Sequence, residues 1–472
     1  MSSIKSDYIL YKNFLKKFKP YYNVFFLADL MHWIEDQSFL SADQIRNRWQ
    51  KHVQLIEGKK VSDVLNFYIH IPFCRSRCSY CMYYSKSLNN KELESYINKL
   101  IKQINFFKKT FSKAKFSSLY IGGGTPSILT EKQINKLFSS LFSSFKFKKD
   151  IEKTFESNPE SISLGKLKLL KKLGFNRVSF GVQNLDKKVL SFANRDYQNY
   201  NLVRKTVKNA KSLGFEVNTD IMIGLKGDSD KSIINSFIEL TKIQPDTITL
   251  YPLKPSEEYL RKYFNDNYYL FNSRLNKKAG KIRKLLESME NNFNYCIVNR
   301  GFEIYTSAEP VFYSKKFKAS YSTDYDYTSP INYSTPCSLF ALGTRASSYI
   351  FNSLQYHDAA TGKEATNFNP KEKIYWAMKF DLKDEMRYFI LQQLSCRLCF
   401  SQKEFKKFFN SDFKIDFKEA VISLKKLGKI KFDGDLVFLP SDSLERYVCS
   451  LFFFDKKKVI KKINNFFNVS KV

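Results

Sequence analysis

The chain has 472 residues, which is enough to bury a large core and favours two domains. Hydrophobic residues make up 43% of it and aromatic residues 16%, which excludes a disordered chain, and no apolar run reaches the ~18–20 residues of a membrane-spanning helix. The formal net charge of +32 comes from lysines spread along the whole chain, not from a basic block, so we expect no nucleic-acid partner.

Residues 1–60 carry no chemical motif, and we interpret them as an N-terminal extension that caps the main domain. Apolar residues at helical spacing indicate one helix there. They are Phe25, Leu27, Leu30, Met31 and Ile34. The first residues lack the basic-then-apolar pattern of a signal peptide, and eight cysteines in so long a chain suit a reducing compartment, so we expect a cytoplasmic protein.

Strand and helix patterns alternate in the next unit, which we place at residues 61–350. Strands are predicted over 66–71, 118–121, 153–156, 177–180, 216–223 and 247–251, with helices between them. Thr130 and Gln133 predict a capping box at the start of one helix, and Gly174 predicts the end of another. Six such repeats indicate an α/β fold with a partial parallel barrel of the (β/α)6 type, whose chemistry lies at the carboxyl ends of the strands.

The pattern changes towards the C-terminus, where we place a mainly α-helical unit over residues 370–472. Ser401 and Glu404 predict the start of one helix, and Gly428 predicts the end of a helix over 417–427. Asp433 and Gly434 predict a hairpin between two short strands. Two helices followed by a hairpin are typical of a winged helix, an architecture that does not decide function by itself.

Three cysteines directly follow the first predicted strand of the barrel. Cys74, Cys78 and Cys81 have the spacing C-x3-C-x2-C. Soft thiolates select iron–sulfur clusters over hard cations, and three of them leave the fourth iron of a 4Fe–4S cluster open. An open iron can bind the amino and carboxylate groups of S-adenosylmethionine (SAM). The alternative is a zinc site, but zinc prefers four ligands, usually as two distant pairs.

The other unusual residues also fall at predicted strand ends. Glycines 122–124 after the second strand let bare backbone approach a ligand, although a tight turn explains them equally well. Glu156 and Asp220 end the third and fifth strands and offer carboxylates to ribose hydroxyls or an ammonium group. Gln183 follows the fourth strand, and Arg195 can pair with a carboxylate in fork geometry.

Taken together, these motifs resemble one family. The runs YIHIPFC, GGGTPS, ESNPES, GFNRVSFGVQ, NRD and NTDIMIGL are similar to those of radical SAM proteins of the oxygen-independent coproporphyrinogen III oxidase-like (HemN/HemW-like) family. The resemblance covers residues 66–255 well and extends more weakly towards the C-terminus.

The resemblance implies a cofactor set and residue roles. Cys74, Cys78 and Cys81 would hold a 4Fe–4S cluster. Contacts to one SAM, and in some cases to a second, would come from Tyr68, Gly123, Gly124, Thr125, Glu156, Gln183, Arg195 and Asp220. SAM cleavage would then give a 5′-deoxyadenosyl radical that acts on a porphyrin or related tetrapyrrole. The family also implies an electron donor such as flavodoxin or ferredoxin.

Three reactions stay open within the family: oxidative decarboxylation of a coproporphyrinogen, methyl transfer as in the relatives that open heme anaerobically, and heme carriage. The decarboxylase usually has a fourth cysteine where this chain has Tyr83, and the family commonly has proline where this chain has Lys226. The heme-binding stretch of the chaperones is not evident near 325–345. The sequence therefore indicates the family more firmly than the reaction.

Overall fold

The computed structural model describes residues 2–16, 37–58, 64–265, 268–289, 295–299, 310–314, 331–332, 335–397 and 399–469. The helix predicted around residues 25–34 lies outside these ranges. The helices are α1 (Ser2–Lys16), α2 (Ala42–Glu57), α3 (Asn90–Phe107), α4 (Glu131–Ser144), α5 (Leu164–Lys172), α6 (Lys187–Phe192), α7 (Tyr200–Ser212), α8 (Asp230–Ile243), α9 (Glu257–Tyr263), α10 (Tyr268–Ser288), α11 (Leu382–Arg397), α12 (Gln402–Phe409), α13 (Phe413–Asp416), α14 (Lys418–Lys426), α15 (Ser443–Ser450) and α16 (Lys456–Val469).

One large mixed sheet forms the centre of the molecule. Its strands are β1 (Gln37–Ser41), β2 (Val64–Ile71), β3 (Ser118–Gly123), β4 (Lys153–Ser157), β5 (Arg177–Gln183), β6 (Glu216–Ile223), β7 (Thr247–Pro252), β8 (Tyr295–Asn299), β9 (Pro310–Ser314), β10 (Thr335–Leu342), β11 (Ser347–Ile350), β12 (Leu354–His357) and β13 (Ile374–Lys379). Their order across the sheet is β1-β13-β12-β11-β10-β2-β3-β4-β5-β6-β7-β9-β8.

Strands β2 to β7 lie side by side in chain order and are parallel, as the sequence predicts. The flanking strand of β2 is β10 and not β7, so the six strands form an open, partial barrel. Parallel strands place all their carboxyl ends at one mouth. The cysteines and the other unusual residues therefore meet there.

Local signals set the helices around this sheet. Thr130 and Gln133 form the predicted capping box of α4, and the predicted end of α5 is followed by Gly174 with a φ of +85°. An aromatic core fills the space between sheet and helices. Phe67 of β2 lies against Phe340 of β10, with a ring-centroid distance of 5.2 Å and an interplanar angle of 90°. Such edge-to-face pairs tie the two strands together.

The sheet also joins distant parts of the chain. Strand β1 pairs antiparallel with β13, so residues 37–41 and 374–379 form one edge of the sheet. The predicted division at residues 60, 350 and 370 stays a prediction. Strand pairing across these boundaries shows that the three predicted units contribute strands to one sheet.

The C-terminal region has its own small sheet and its own core. Strands β14 (Cys399–Ser401), β15 (Lys431–Asp433) and β16 (Leu436–Phe438) pair in the order β14-β16-β15 and pack with α12 to α14. The Ser401 side chain accepts a hydrogen bond from the backbone N–H of Glu404, as predicted. This mainly helical region has the predicted winged-helix-like order of elements. Helix α1 packs against α15, so the start of the described chain is joined to its end.

Candidate functional site

The three cysteines lie in a loop that leaves β2 and crosses the mouth of the barrel. All three thiols are half-buried. The backbone N–H of Cys81 donates to the Cys78 carbonyl at 3.2 Å, and the N–H of Leu88 donates to the Cys74 carbonyl at 2.9 Å. The loop is therefore folded by its own backbone and returns to the strand from which it started.

A second segment, directly after α6, holds the outer part of this loop. The side chain of Ser79 donates to the Phe192 carbonyl at 2.6 Å, and the amide of Asn194 donates to the Arg77 carbonyl at 2.9 Å. Asn194 has a φ of +58°, a conformation that asparagine tolerates better than most residues. The run Asn194-Arg195-Asp196 thus has a structural use beside any contact to a ligand.

Arg195 lies buried behind the cysteine loop. Its Nη1 is 3.4 Å from the Sγ of Cys78, and its Nη2 donates to the carbonyl of Gly181 and, at 3.0 Å, to Oε1 of Gln198. Its Nε is buried without a hydrogen-bond partner among the described residues. In this arrangement the guanidinium orients Cys78 and brings positive charge to a thiolate.

The glycine run after β3 contacts the loop from the other side. The hydroxyl of Thr125 donates to the Sγ of Cys74 at 3.3 Å, and its N–H donates to the Phe73 carbonyl at 2.8 Å. A Cβ on Gly124 would lie 2.7 Å from that same carbonyl and 3.0 Å from the Cys74 Sγ. Gly124 is therefore required for space, because the backbone of the cysteine loop occupies the place of a side chain.

Glu156 lies on the neighbouring strand with its carboxylate inside the mouth. It accepts hydrogen bonds from the hydroxyl of Tyr120 at 2.5 Å and from the N–H of Gly123 at 3.2 Å. Burial raises the pKa of Glu156 to about 7; its two hydrogen bonds oppose this and the charge of Asp220 adds to it. Burial therefore disfavours the ionised form of this carboxylate.

Asp220 is a second, half-buried carboxylate at the mouth. It accepts hydrogen bonds from the Asn218 amide at 2.7 Å and from the Ser179 hydroxyl at 3.3 Å. Burial raises the pKa of Asp220 to about 6, against the stabilising effect of these hydrogen bonds. Both carboxylates are placed to accept hydrogen bonds from hydroxyl or ammonium groups of a ligand.

The first and fourth strands supply the remaining predicted residues. The hydroxyl of Tyr68 is 3.0 Å from Nδ1 of His70, and its ring stacks on Tyr120 with centroids 6.1 Å apart. His70 is a buried strand residue, and burial lowers its pKa to about 4. Gln183 ends its strand with a φ of +68°, and its Oε1 is buried without a partner among the described residues. That unpaired acceptor is available to a ligand.

The donor set suits an iron–sulfur cluster. Three half-buried thiols, one beside a guanidinium and one beside a hydroxyl, form a sulfur-rich site of the kind that soft metals select. Burial raises the pKa of Cys81 to about 11, so metal binding there has to release a proton. Within the described ranges, no three side chains of histidine, cysteine, aspartate or glutamate gather around a single metal ion.

Several site residues were not predicted. Arg77, Ser79 and Asn194 join the cysteine loop to the segment after α6, and Tyr120 and Asn218 hold the two carboxylates. Tyr120 and Asn218 each lie on a strand, two residues before a position that the sequence already indicates, and a period of two places them on the face that lines the mouth. The loop contacts carry no local sequence signal.

Comparison with known proteins agrees with this geometry. The model of the radical SAM superfamily matches residues 68–239. The heme chaperone HemW of Bacillus subtilis is 34% identical over 189 residues, which are 39% of this chain and 49% of that protein. The chain thus matches only about half the length of that relative.

No helix in the described ranges is long and apolar enough to cross a membrane.

Two further comparisons reach beyond the barrel. The oxygen-independent coproporphyrinogen III oxidase of Pseudomonas aeruginosa is 25% identical over 418 residues, covering 84% of this chain and 87% of that protein. The solved structure of coproporphyrinogen III oxidase (HemN) from Escherichia coli superposes with a TM-score of 0.64 at 20% identity and covers 83% of this chain and 90% of that one. The latter shows a shared fold. Residues 68–239 therefore form a radical SAM domain, a class of domain whose cofactors are a 4Fe–4S cluster and SAM, and the chain is similar to HemN and HemW proteins.

Proposed function

We propose that this protein is an oxygen-independent coproporphyrinogen III oxidase-like enzyme that oxidatively decarboxylates propionate side chains of a tetrapyrrole. When bound, the reduced cluster and SAM supply a one-electron cleavage that yields a 5′-deoxyadenosyl radical able to abstract hydrogen from substrate. The electron would come from a small carrier such as flavodoxin or ferredoxin. The chain's own residues must bind, orient and shield these groups.

The cysteine loop carries this proposal. Cys74, Cys78 and Cys81 would each hold one iron. The loop is held on two sides, by Thr125 at Cys74 and by Arg195 at Cys78. These contacts would position the thiols for a cluster.

The remaining predicted residues would form the SAM site beside it. Gly123, Gly124 and Thr125 bring backbone close to the cysteine loop, and the methionine end of SAM would lie beside this backbone. Glu156 and Asp220 would accept hydrogen bonds from hydroxyl or ammonium groups. Because burial raises the pKa of both carboxylates, a donor that satisfies them favours their ionised forms. The rest of the SAM site would be lined by Tyr68, Gln183 and Arg195.

The proposal of a tetrapyrrole substrate rests on the relatives to which this chain is similar. The Pseudomonas aeruginosa oxidase aligns over most of this chain, including the part beyond the barrel, and this favours decarboxylation over the alternatives. Heme carriage is the second candidate, because HemW of Bacillus subtilis is 34% identical over its 189 aligned residues, against 25% over 418 residues for the oxidase. A substrate with several carboxylates suits a chain with a net charge of +32.

The test is anaerobic reconstitution with iron and sulfide, followed by incubation with SAM, a chemical reductant and coproporphyrinogen III. We expect about four irons per chain, 5′-deoxyadenosine, carbon dioxide and a vinyl product that mass spectrometry detects. 5′-Deoxyadenosine without a changed porphyrinogen would exclude the decarboxylase. Stable heme binding without turnover of porphyrinogen would favour the carrier.

A further inference from the structure

We propose that Arg345 binds a carboxylate of the substrate at the barrel mouth, beside an aromatic surface on the same sheet that receives the substrate's pyrrole rings. This inference rests on the proposed tetrapyrrole function and adds to it the residues that recognise the substrate. Arg345 lies in the turn that follows β10, the strand that runs parallel to β2. Parallel strands end together, so this turn and the cysteine loop share the mouth.

The backbone of Arg345 is held in a conformation that favours glycine. Its φ is +65°, and its N–H donates to the Asp358 carbonyl at 2.8 Å. The carboxylate of Asp358 is in turn buried between Lys99, at 2.8 Å, and Lys373. A left-handed non-glycine residue is strained, and such strain persists only where the surroundings enforce it, commonly at functional sites.

The side chain of Arg345 remains available to a ligand. Arg345 is exposed, and among the described residues its guanidinium forms no ion pair and no hydrogen bond. Its Cζ lies 5.6 Å from the ring centroid of Tyr84, which comes three residues after Cys81. The guanidinium is thus positioned over the end of the cysteine loop with all its donors unused. Its geometry matches a carboxylate in fork-to-fork pairing.

An aromatic row continues from this point across the sheet. Phe39 is directly opposite Trp376, and Trp376 is directly opposite His357. Residues opposite each other across strands share a face, so the three rings form one surface. Phe39 is 74% exposed, and the rings of His357 and Trp376 are 4.7 Å apart. We name Phe39, Trp376 and His357 the aromatic row.

The aromatic row belongs to the face that lines the mouth. Ser347 pairs with His357, and two residues further along the same strand Tyr349 pairs with Leu339 of β10. Ala341 lies two residues from Leu339 and pairs with Tyr68. Because side chains on one face recur every second residue, the row and Tyr68 lie on the same face. Arg345 lies next to the row, because its N–H donates to the carbonyl of Asp358, the residue after His357. Its positive charge also helps to lower the pKa of the half-buried His357, after burial.

These contacts select one class of occupant. Pyrrole rings would pack against the exposed aromatic row, and an acidic substituent would pair with Arg345. A tetrapyrrole with propionate groups has both features. The propionate bound by Arg345 would lie near the cysteine loop.

The test is anaerobic equilibrium binding of coproporphyrinogen III, and of its tetramethyl ester, which has no free carboxylate, to the reconstituted protein without SAM. We expect Arg345→Gln and Arg345→Gly each to weaken the binding of coproporphyrinogen III about ten- to hundredfold. Glycine suits a φ of +65°, so Arg345→Gly should melt no lower than wild type. Arg204→Gln, which removes an exposed arginine from the outer helix α7, should bind as wild type does.

A second variant separates the contribution of the substrate's rings to binding from the contribution of its carboxylate. Trp376→Leu should weaken the binding of both ligands by the same factor, whereas the Arg345 variants should reduce the preference for the free acid over the ester. Wild-type affinity in both Arg345 variants overturns this inference and leaves the proposed function intact. Failure of the wild type to bind either ligand overturns the proposed substrate class and this inference with it.

Discussion

The barrel mouth and the C-terminal region use the same residue types for different purposes. Gly124 at the mouth is needed for space, since a Cβ would lie 2.7 Å from the Phe73 carbonyl. Gly428 in the C-terminal region has open space around it but a φ of +64°, the usual conformation of a helix C-cap. The contrast shows that glycine marks close approach of backbone at the mouth and chain reversal elsewhere.

Charged groups are enclosed in both regions, but in different places. At the mouth, Glu156 and Asp220 are half-buried at the ends of barrel strands, and burial raises the pKa of each. In the C-terminal region, Glu385 and Arg446 are buried, and the carboxylate of Glu385 accepts a hydrogen bond from the hydroxyl of Tyr349. The carboxylates at the mouth are distinguished by their position at the carboxyl ends of the parallel strands, where such barrels place their chemistry.

The largest expected effect separates the cysteines of the two regions. Cys74→Ala, Cys78→Ala or Cys81→Ala should each abolish both the broad cluster absorption and SAM cleavage, because each removes an iron ligand. Cys449→Ala, at a fully buried cysteine of the C-terminal core, should keep about four irons per chain. Iron analysis and 5′-deoxyadenosine formation after reconstitution decide this. Iron and activity retained in all three loop variants would contradict the site.

The two glycines give the next contrast. Gly124→Ala forces the cysteine loop away from the glycine run and should cost up to about 3 kcal/mol and most of the bound iron. Gly428→Ala meets no atom but strains the helix end, so it should cost about 1 kcal/mol and leave iron unchanged. Denaturant unfolding and iron content measure both. Equal iron loss in the two variants would show that destabilisation alone releases the cluster.

The pH dependence of stability should reveal the buried carboxylate. The pKa of Glu156 rises from the ordinary value of 4.5 to about 7 on folding, so the folded state holds the proton more tightly. Stability therefore falls as the pH rises between these two values, by roughly 2–3 kcal/mol for the cofactor-free protein. Unfolding curves at pH 5 and pH 7.5 should show a smaller loss in Glu156→Gln. An identical loss of stability in the variant and the wild type would show that a group other than Glu156 binds the proton.

The smallest effect should be the same in both regions. Thr130→Ala removes the cap of α4 beside the barrel, and Ser401→Ala removes the cap of α12. Each should cost about 1 kcal/mol in the free energy of unfolding, because one helix N–H loses its acceptor. Iron content should not change in either variant. Iron lost through Ser401→Ala would indicate that the C-terminal region supports the cluster directly.

Much of the barrel was predictable because its signals are local. The strand of residues 216–223 is found at the predicted bounds, and Thr130 with Gln133 forms the predicted capping box. The cysteine spacing also carries its chemistry in a short run of sequence. Six successive strand–helix repeats leave few arrangements other than a parallel barrel.

The features that the sequence did not predict depend on contacts between residues that are far apart in the chain. Strand β1 pairs with β13 across more than three hundred residues, and no local pattern predicts that pairing. Arg345 drew no attention in the sequence because a positive φ at a non-glycine residue is imposed by its surroundings, here by Asp358. The contact of Arg195 with Cys78 likewise depends on two loops meeting at the mouth.

The central claim is that three cysteines leave one iron of the cluster open to SAM. The most direct measurement is the electron paramagnetic resonance spectrum of the reduced, reconstituted protein, recorded without and with SAM. The account predicts a 4Fe–4S signal that changes in shape when SAM is added, since SAM binds the open iron. A 4Fe–4S signal that is identical with and without saturating SAM, or a protein that takes up no cluster, would contradict it.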